Sequence, residues 1–237
     1  MKFFFIIPEF GTPNYGDFFI ASINPFYTIQ YSQPEEYRFS HDSNFLARRV
    51  FEIIKQDQIV CEEILDLCAG CGVVGMDLLF HLQELKILPQ ELDFLEVQSC
   101  YQEHFEKNKK TLLKMLKSQT VLNFISANYS VLDESSKKYD LIVCNPPYFR
   151  LGQGLLSSSD FKNRCRFLLD SDFPRLIKAI DFSLKEDGYA FILLKSLAEH
   201  GIDIETEFSQ LGASLRFKKL GLIRNTDLYQ LTKSIIL

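Results

Sequence analysis

The sequence predicts an α/β fold built on a mostly parallel sheet, and three observations support this prediction. From residue 62 onward, short apolar segments with strand character alternate with segments of helical periodicity. A loop of small residues, 69–72, joins the first of these strands to the helix that follows it. Two final strand-like segments, 214–220 and 227–235, have no helix between them and predict an antiparallel closing pair. Such alternation places helices on both faces of a sheet.

Hydrophobic periodicity assigns each element in chain order. The predicted strands are 62–67, 91–96, 120–126, 139–144, 188–195, 214–220 and 227–235. The predicted helices are 43–57, 73–83, 98–118, 172–185 and 197–211, with Asp42 or Ser43 as the N-cap of the first. Residues 1–34 carry Gly and Pro breakers and predict short strands and turns. We therefore divide the chain into an N-terminal extension, residues 1–57, and a main domain, residues 58–237.

Composition limits the class of protein. The chain is 46% hydrophobic and 24% charged, which is typical of a globular domain, and no apolar run approaches the length of a membrane span. We expect a cytoplasmic protein that does not bind membranes. Cys68 and Cys71 have the spacing of a metal pair, but no second pair or nearby His completes a zinc site, so we expect no metal. The sequence does not indicate an oligomeric state.

Residues 145–148, Asn-Pro-Pro-Tyr, directly follow the strand 139–144 and suit the methylation of a planar amino nitrogen. Such a nitrogen is a poor nucleophile, because its lone pair is delocalised into the adjacent ring or carbonyl. The Asn145 side chain and the Pro146 carbonyl can accept hydrogen bonds from its two N–H groups, and the prolines hold those acceptors in place. Tyr148 offers a flat face for a planar group. These three residues are the candidate catalytic residues.

The small-residue loop has its own chemical meaning. It follows the strand that contains Asp66 and reads Ala69-Gly70-Cys71-Gly72. Glycines permit close approach of a ligand, and the N-terminus of the following helix favours an anionic group. The spacing is not that of a dinucleotide-binding fingerprint.

Together the loop and the Asn-Pro-Pro-Tyr motif resemble those of class I S-adenosylmethionine-dependent methyltransferases. The resemblance implies a Rossmann-like, seven-stranded, mostly parallel sheet with an antiparallel C-terminal strand. It implies S-adenosyl-L-methionine as cofactor, held by Asp66, Ala69, Gly70 and Gly72. It also implies that Glu96, at the tip of the second strand, accepts the ribose hydroxyls and that Asn128 lies near the adenine. Asn145 belongs to both the cofactor and the catalytic set.

Residues 33–46 and 145–170 are similar to bacterial tRNA adenine-N6 methyltransferases that act beside the valine anticodon. This similarity implies that Ser40 and Asp42 lie near the methionine end of the cofactor. It makes tRNA the expected partner. Where that family has an Ala-Arg-His-Glu-like run, this chain has Asn163-Arg164-Cys165-Arg166, which leaves specificity for RNA open.

The net charge of −5 requires that any nucleic acid be bound through a local cluster of cations. Arg150, Lys162, Arg164 and Arg166 follow the motif and are candidates for contacts to phosphates. Pro147, Tyr148 and Phe149 are candidate contacts to the acceptor itself.

Three alternative functions remain open from the sequence. Methylation of a protein glutamine N5 uses the same chemistry, but those enzymes usually carry a longer helical N-terminal domain. A methyltransferase of adenine in duplex DNA would ordinarily need an additional target-recognition region. A non-catalytic binding module is disfavoured by intact Asp66, Glu96 and Asn145.

Overall fold

The computed structural model describes residues 28–116, 119–211 and 214–233, so the strands and turns predicted before residue 28 lie outside the described residues. Within these ranges the chain forms one seven-stranded sheet with the order β3-β2-β1-β4-β5-β7-β6. The strands are β1 Glu63–Leu67, β2 Glu91–Glu96, β3 Val121–Ser126, β4 Tyr139–Cys144, β5 Leu184–Leu194, β6 Leu215–Ile223 and β7 Thr226–Lys233.

The α-helices that accompany this sheet are α1 His41–Asp57, α2 Val73–Leu82, α3 Tyr101–Met115, α4 Asp160–Arg166, α5 Phe173–Ser183 and α6 Ile204–Gln210. Short 3-10 turns lie at Gln83–Leu85, Tyr129–Glu134 and Ala198–His200. No helix in the described ranges is long and apolar enough to cross a membrane.

The strand pairing confirms the predicted fold class. Strands β1 to β5 pair in parallel, and β7 pairs antiparallel to both β5 and β6. Leu67 at the end of β1 stands opposite Leu95 of β2 and Cys144 of β4. The carboxyl ends of these three central strands therefore lie side by side, which is where open α/β sheets bind ligands.

The described part of the N-terminal extension, residues 28–57, shares the main hydrophobic core. Helix α1 buries Leu46, Val50 and Ile54, four residues apart, on the face that packs against α2. The side chain of Asn108 on α3 accepts from Ser32 N–H and donates to the Ser32 carbonyl. Our division of the chain at residue 57 thus separates segments that pack as neighbours.

Two helix predictions were wrong in detail, and one helix was missed. The first helix begins at His41, with Ser40 rather than Asp42 or Ser43 as its N-cap. The predicted helix 197–211 is interrupted by Gly201, whose φ is 70°, and restarts as α6 behind Asp203. Helix α4 was not predicted, because seven residues are too few for periodicity to be recognised.

Candidate active site

A cavity opens at the carboxyl edge of the sheet, where β1, β2 and β4 end. Its wall comes from the N-terminus of α1, the β1–α2 loop, the ends of β2 and β3, the Asn-Pro-Pro-Tyr motif, and α4 with the chain that follows it. The predicted site residues in this wall are Ser40, Ala69, Gly70, Glu96, Asn128, Asn145, Pro146, Pro147, Tyr148, Phe149, Arg164 and Arg166. The structure thus brings most of the predicted site together.

The glycine loop lies between the cavity and the hydrophobic core, so it has little room for side chains. Gly70 lines the cavity with a φ of +53°. Gly72 has a φ of +86°, and a Cβ there would come within 2.9 Å of Met76 and 3.0 Å of Phe105. Ala69 N–H donates to the Leu95 carbonyl at 3.1 Å, which ties the loop to β2. Gly72 is therefore required by backbone conformation and packing behind the cavity wall.

Asp66 does not line the cavity, which favours an indirect role instead of the direct cofactor contact that we expected. Its side chain is fully buried, and its Oδ2 accepts the Gly75 N–H at 2.8 Å in the first turn of α2. Burial raises the pKa of Asp66 from 3.8 to about 7, partly opposed by that hydrogen bond. The carboxylate thus supports the helix that begins behind the glycine loop.

This raised pKa predicts how stability depends on pH. Because the folded state binds the Asp66 proton more tightly than the unfolded chain does, the contribution of Asp66 to stability is full below about pH 4 and is lost as the pH rises through about 7. Each pKa unit corresponds to about 1.4 kcal/mol. We expect the free energy of unfolding of Asp66→Asn, measured by urea denaturation between about pH 4 and about 7, to vary less with pH than that of wild type. The exposed Asp57→Asn serves as control; equal profiles for Asp66→Asn and wild type would contradict the assignment.

Glu96 closes the cavity at the end of β2. It is only 6% exposed, and its two oxygens accept the N–H groups of Gly70 and Gln98, each at 2.9 Å. Burial raises its pKa, while these two hydrogen bonds act in the opposite direction. Each carboxylate oxygen keeps a further lone pair for a ligand hydroxyl.

Asn128 follows β3 and also lines the cavity. Its Oδ1 accepts the Ser130 N–H, and its Nδ2 donates to the Asp170 carbonyl, both at 2.9 Å. The side chain therefore caps the 3-10 turn that follows and ties it to the chain after α4. Its contact to adenine stays a prediction.

The Asn-Pro-Pro-Tyr motif is held in place by a contact with helix α1, 102 residues away in the chain. Asn145 Nδ2 donates to the Ser43 Oγ on α1 at 2.9 Å. The Tyr148 hydroxyl donates to Asn145 Oδ1 at 2.5 Å. Burial, followed by the charge of Asp42, raises the pKa of Tyr148, so its hydroxyl keeps its proton. Asn145 thus presents its oxygen with one lone pair engaged and one available.

The other two predicted residues of the N-terminal segment differ in position. Ser40 lines the cavity and is the N-cap position of α1, without a side-chain capping hydrogen bond. Asp42 does not line it and forms an ion pair with Arg224 at 3.4 Å. Its contact with the ammonium group of the cofactor stays a prediction.

Two of the arginines that we expected to contact phosphates form ion pairs with carboxylates of the protein itself. Arg150 forms a two-pronged pair with Glu207, the closer contact at 2.5 Å, and Arg164 does the same with Asp170 at 2.6 Å. Arg166 lies over the rings of Phe149 and Phe167. Such bidentate pairs use up much of the donor capacity of a guanidinium group.

Sequence reasoning missed several residues of the cavity wall. Cys165 of α4 lies 3.3 Å from the Tyr101 hydroxyl and accepts from Gln98 Nε2 at 3.4 Å, so α4 is attached to the start of α3. Ser43 was considered only as a helix cap. Cys165 was noted only as a departure from a family pattern, since nothing in its sequence context indicates a contact with Tyr101.

The fold and this site define a class of protein. The methyltransferase small domain model matches residues 39–159, half of the chain, which includes the glycine loop, Glu96 and the Asn-Pro-Pro-Tyr motif. The chain belongs to this family of S-adenosylmethionine-dependent methyltransferases.

Relatives with assigned activities are similar to parts of the chain. A tRNA1(Val) (adenine(37)-N6)-methyltransferase of Shewanella sediminis is 32% identical over 155 residues, covering 63% of this chain and 61% of the relative. A release factor glutamine methyltransferase of Clostridium botulinum is 27% identical over 46% of this chain and 35% of the relative. The chain thus spans less than two thirds of the length of either.

A solved structure has the same fold. The 16S rRNA N2 methyltransferase from T. thermophilus, in complex with AdoMet and guanosine, superposes with a TM-score of 0.58. It is 16% identical and is matched over 84% of this chain and 44% of its own.

The cavity fits S-adenosyl-L-methionine, the cofactor of the family. The residues that would hold it are the backbone of Ala69 and Gly70, the first turn of α2, and the buried carboxylate of Glu96. A side chain at Gly70 would project toward the Tyr101 ring, 3.7 Å from its nearest atom, at a φ that L-residues rarely adopt. Among the described residues no group of three or more His, Cys, Asp and Glu side chains is arranged to hold a metal ion.

Proposed function

We propose that this protein methylates a planar amino nitrogen, and that its acceptor is adenine N6 in tRNA. The observation that carries the proposal is the Ser43–Asn145–Tyr148 arrangement in the wall of a cofactor cavity. When bound, S-adenosylmethionine supplies an electrophilic methyl group. The work left to the protein is to position and polarise the acceptor nitrogen.

Each residue of the motif has a distinct part. The free lone pair of Asn145 Oδ1 accepts one amino hydrogen, and the Pro146 carbonyl accepts the other. Both interactions strengthen as the nitrogen becomes tetrahedral, so they stabilise the transition state more than the bound acceptor. The nitrogen that has gained the methyl group then releases one of its two protons to solvent or to Asn145. The ring of Tyr148 stacks on the base, and an anticodon-loop adenine is already unpaired, which lowers the cost of reaching the cavity.

The acceptor is supported by the comparisons rather than by the motif alone. The tRNA methyltransferase relative is matched over more of this chain than the glutamine methyltransferase is. Methylation of a protein glutamine N5 is the second candidate, because an amide nitrogen poses the same chemical problem. A non-catalytic binding module would bind the cofactor without transferring its methyl group.

One assay separates these functions. The protein is incubated with S-adenosylmethionine carrying a labelled methyl group and with unmodified tRNA, DNA or cytosolic protein in turn. Label in tRNA, recovered after digestion as N6-methyladenosine, is the expected result. Label in protein or DNA would replace tRNA as acceptor, and cofactor binding without transfer to any of them would support the binding module.

Ser43 is expected to act as a positioning residue for Asn145. Ser43→Ala removes the acceptor for Asn145 Nδ2, so the amide can rotate and its oxygen faces the acceptor nitrogen for less of the time. A lost hydrogen bond of about 1 kcal/mol predicts a turnover about fivefold lower. The measurement is turnover and the Michaelis constant for each substrate.

The conservative variant makes this test specific. Ser43→Thr keeps a hydroxyl group at this 5% exposed position and should restore turnover. Equal losses in both variants, or a loss that follows the melting temperature, would mean that Ser43 only packs the helix.

A further inference from the structure

Two cations beside the catalytic motif differ from the arginines already described. Arg166 and Lys195 lie against the ring of Phe149, at 5.9 and 5.0 Å from its centroid. Within the parts of the chain that the structure describes, neither forms an ion pair with a carboxylate. Arg150 and Arg164, in contrast, are neutralised by Glu207 and Asp170.

Backbone structure places this pair beside the cavity: Phe149 and Arg166 line it, and Lys195 reaches the ring of Phe149 from outside the lining. Phe149 follows Tyr148 directly; its N–H donates to the Arg166 carbonyl at 3.0 Å, and its carbonyl accepts the Leu168 N–H at 2.8 Å. Lys195 follows β5, whose parallel partner β4 leads into the motif. Both cations are half-buried, so a bound anion would be screened less than on an open surface.

A comparable group elsewhere in the fold shows what a purely structural arrangement looks like. Near the amino ends of β4 and β5, Lys138 and Lys178 also lie against one ring, that of Phe182, at 5.9 and 5.3 Å. There Lys178 pairs with Asp133, and Lys138 donates to the Phe182 carbonyl. The protein itself satisfies those cations, whereas those at Phe149 lack a carboxylate partner.

We propose that Arg166 and Lys195 bind a phosphodiester group of the acceptor, next to the nucleotide whose base enters the cavity. The proposal rests on the proposed function, because a nucleic-acid acceptor carries a phosphate beside the reacting base and a glutamine side chain does not. It moves the phosphate contact from the predicted Arg150 and Arg164 to a pair that includes Lys195, which lies 29 residues beyond Arg166 in the chain. Phosphate contacts of this kind set position and affinity, with little dependence on sequence.

The test is the salt dependence of binding to unmodified tRNA. Binding is followed by fluorescence anisotropy between about 0.05 and 0.3 M salt, where each neutralised phosphate adds about one unit to the slope of log affinity against log salt. Arg166→Gln together with Lys195→Gln should weaken binding about tenfold at low salt and reduce the slope by about one. Lys138→Gln removes a lysine beside the ring of Phe182, at the opposite edge of the sheet. It should leave the affinity at low salt and the salt slope unchanged.

Further measurements distinguish this site from a structural role and from the proposed function itself. Calorimetry with S-adenosylmethionine and thermal melting should give wild-type values for Lys195→Gln alone, because Lys195 does not line the cofactor cavity. If wild type methylates tRNA and the double variant keeps the wild-type slope, the phosphate site is wrong and the proposed function stands. If wild type neither binds nor methylates tRNA, both the tRNA acceptor and this site are overturned.

Discussion

Asn145→Ala is expected to lower turnover about 100-fold or more, because it removes one of the two acceptors that stabilise the transition state. The wild-type side chain is half-buried between Ser43 and Tyr148, with its Nδ2 and Oδ1 engaged at 2.9 and 2.5 Å. Removing it leaves the Pro146 carbonyl as the remaining acceptor for the amino group. Because the lost interaction is strongest in the transition state, the loss should fall on turnover, with cofactor affinity nearly preserved.

A single-turnover assay makes the measurement, since it reports the chemical step without product release. Asn145→Asp is the informative companion, because it keeps a side-chain oxygen in reach of the acceptor while Ser43 can donate to its other oxygen. We expect it to retain more activity than Asn145→Ala. A wild-type single-turnover rate for Asn145→Ala would exclude this mechanism for any acceptor.

The order of the central elements could be predicted from the sequence because local pattern determines it. Alternating apolar segments between residues 62 and 144 gave strands β1 to β4 within two residues of their observed bounds. The glycine loop and Glu96 were found because a bound nucleoside demands small residues after one strand and a carboxylate after the next. These requirements are local in sequence, so a pattern can express them.

Contacts between distant segments could not be predicted in the same way. Ser43 meets Asn145 across 102 residues, and Arg150 meets Glu207 across 57. Neither partner carries a sequence feature that names the other. The predicted arginines at 150 and 164 were assigned to phosphate because their charges were visible in the sequence, whereas the carboxylates that neutralise them were not identifiable as partners. Lys195 could not be linked to the motif from the sequence, because only the pairing of β4 with β5 places it beside Phe149.

Glu96→Ala is expected to weaken S-adenosylmethionine binding about 10- to 150-fold, because a charged acceptor for two hydroxyls contributes roughly 1.5–3 kcal/mol. Two effects add in this variant. The ribose acceptor is lost, and Gly70 N–H loses the Glu96 oxygen that holds it at 2.9 Å. Isothermal calorimetry measures the dissociation constant directly and does not require a known methyl acceptor.

The two effects can be separated by comparing variants. Glu96→Gln keeps one side-chain oxygen for a backbone N–H and the same volume, but its amide group meets the other N–H and lacks the charge. If the charge on the ribose acceptor dominates, Glu96→Gln should bind the cofactor nearly as weakly as Glu96→Ala. If the hydrogen bond from Gly70 N–H to residue 96 dominates, Glu96→Gln should recover much of the affinity. Glu62→Ala, which removes an exposed carboxylate at the opposite edge of the sheet, controls for net charge. Wild-type affinity in Glu96→Ala would remove this carboxylate from the cofactor site altogether, while the glycine loop and the Asn145 mechanism would remain to be judged by their own measurements.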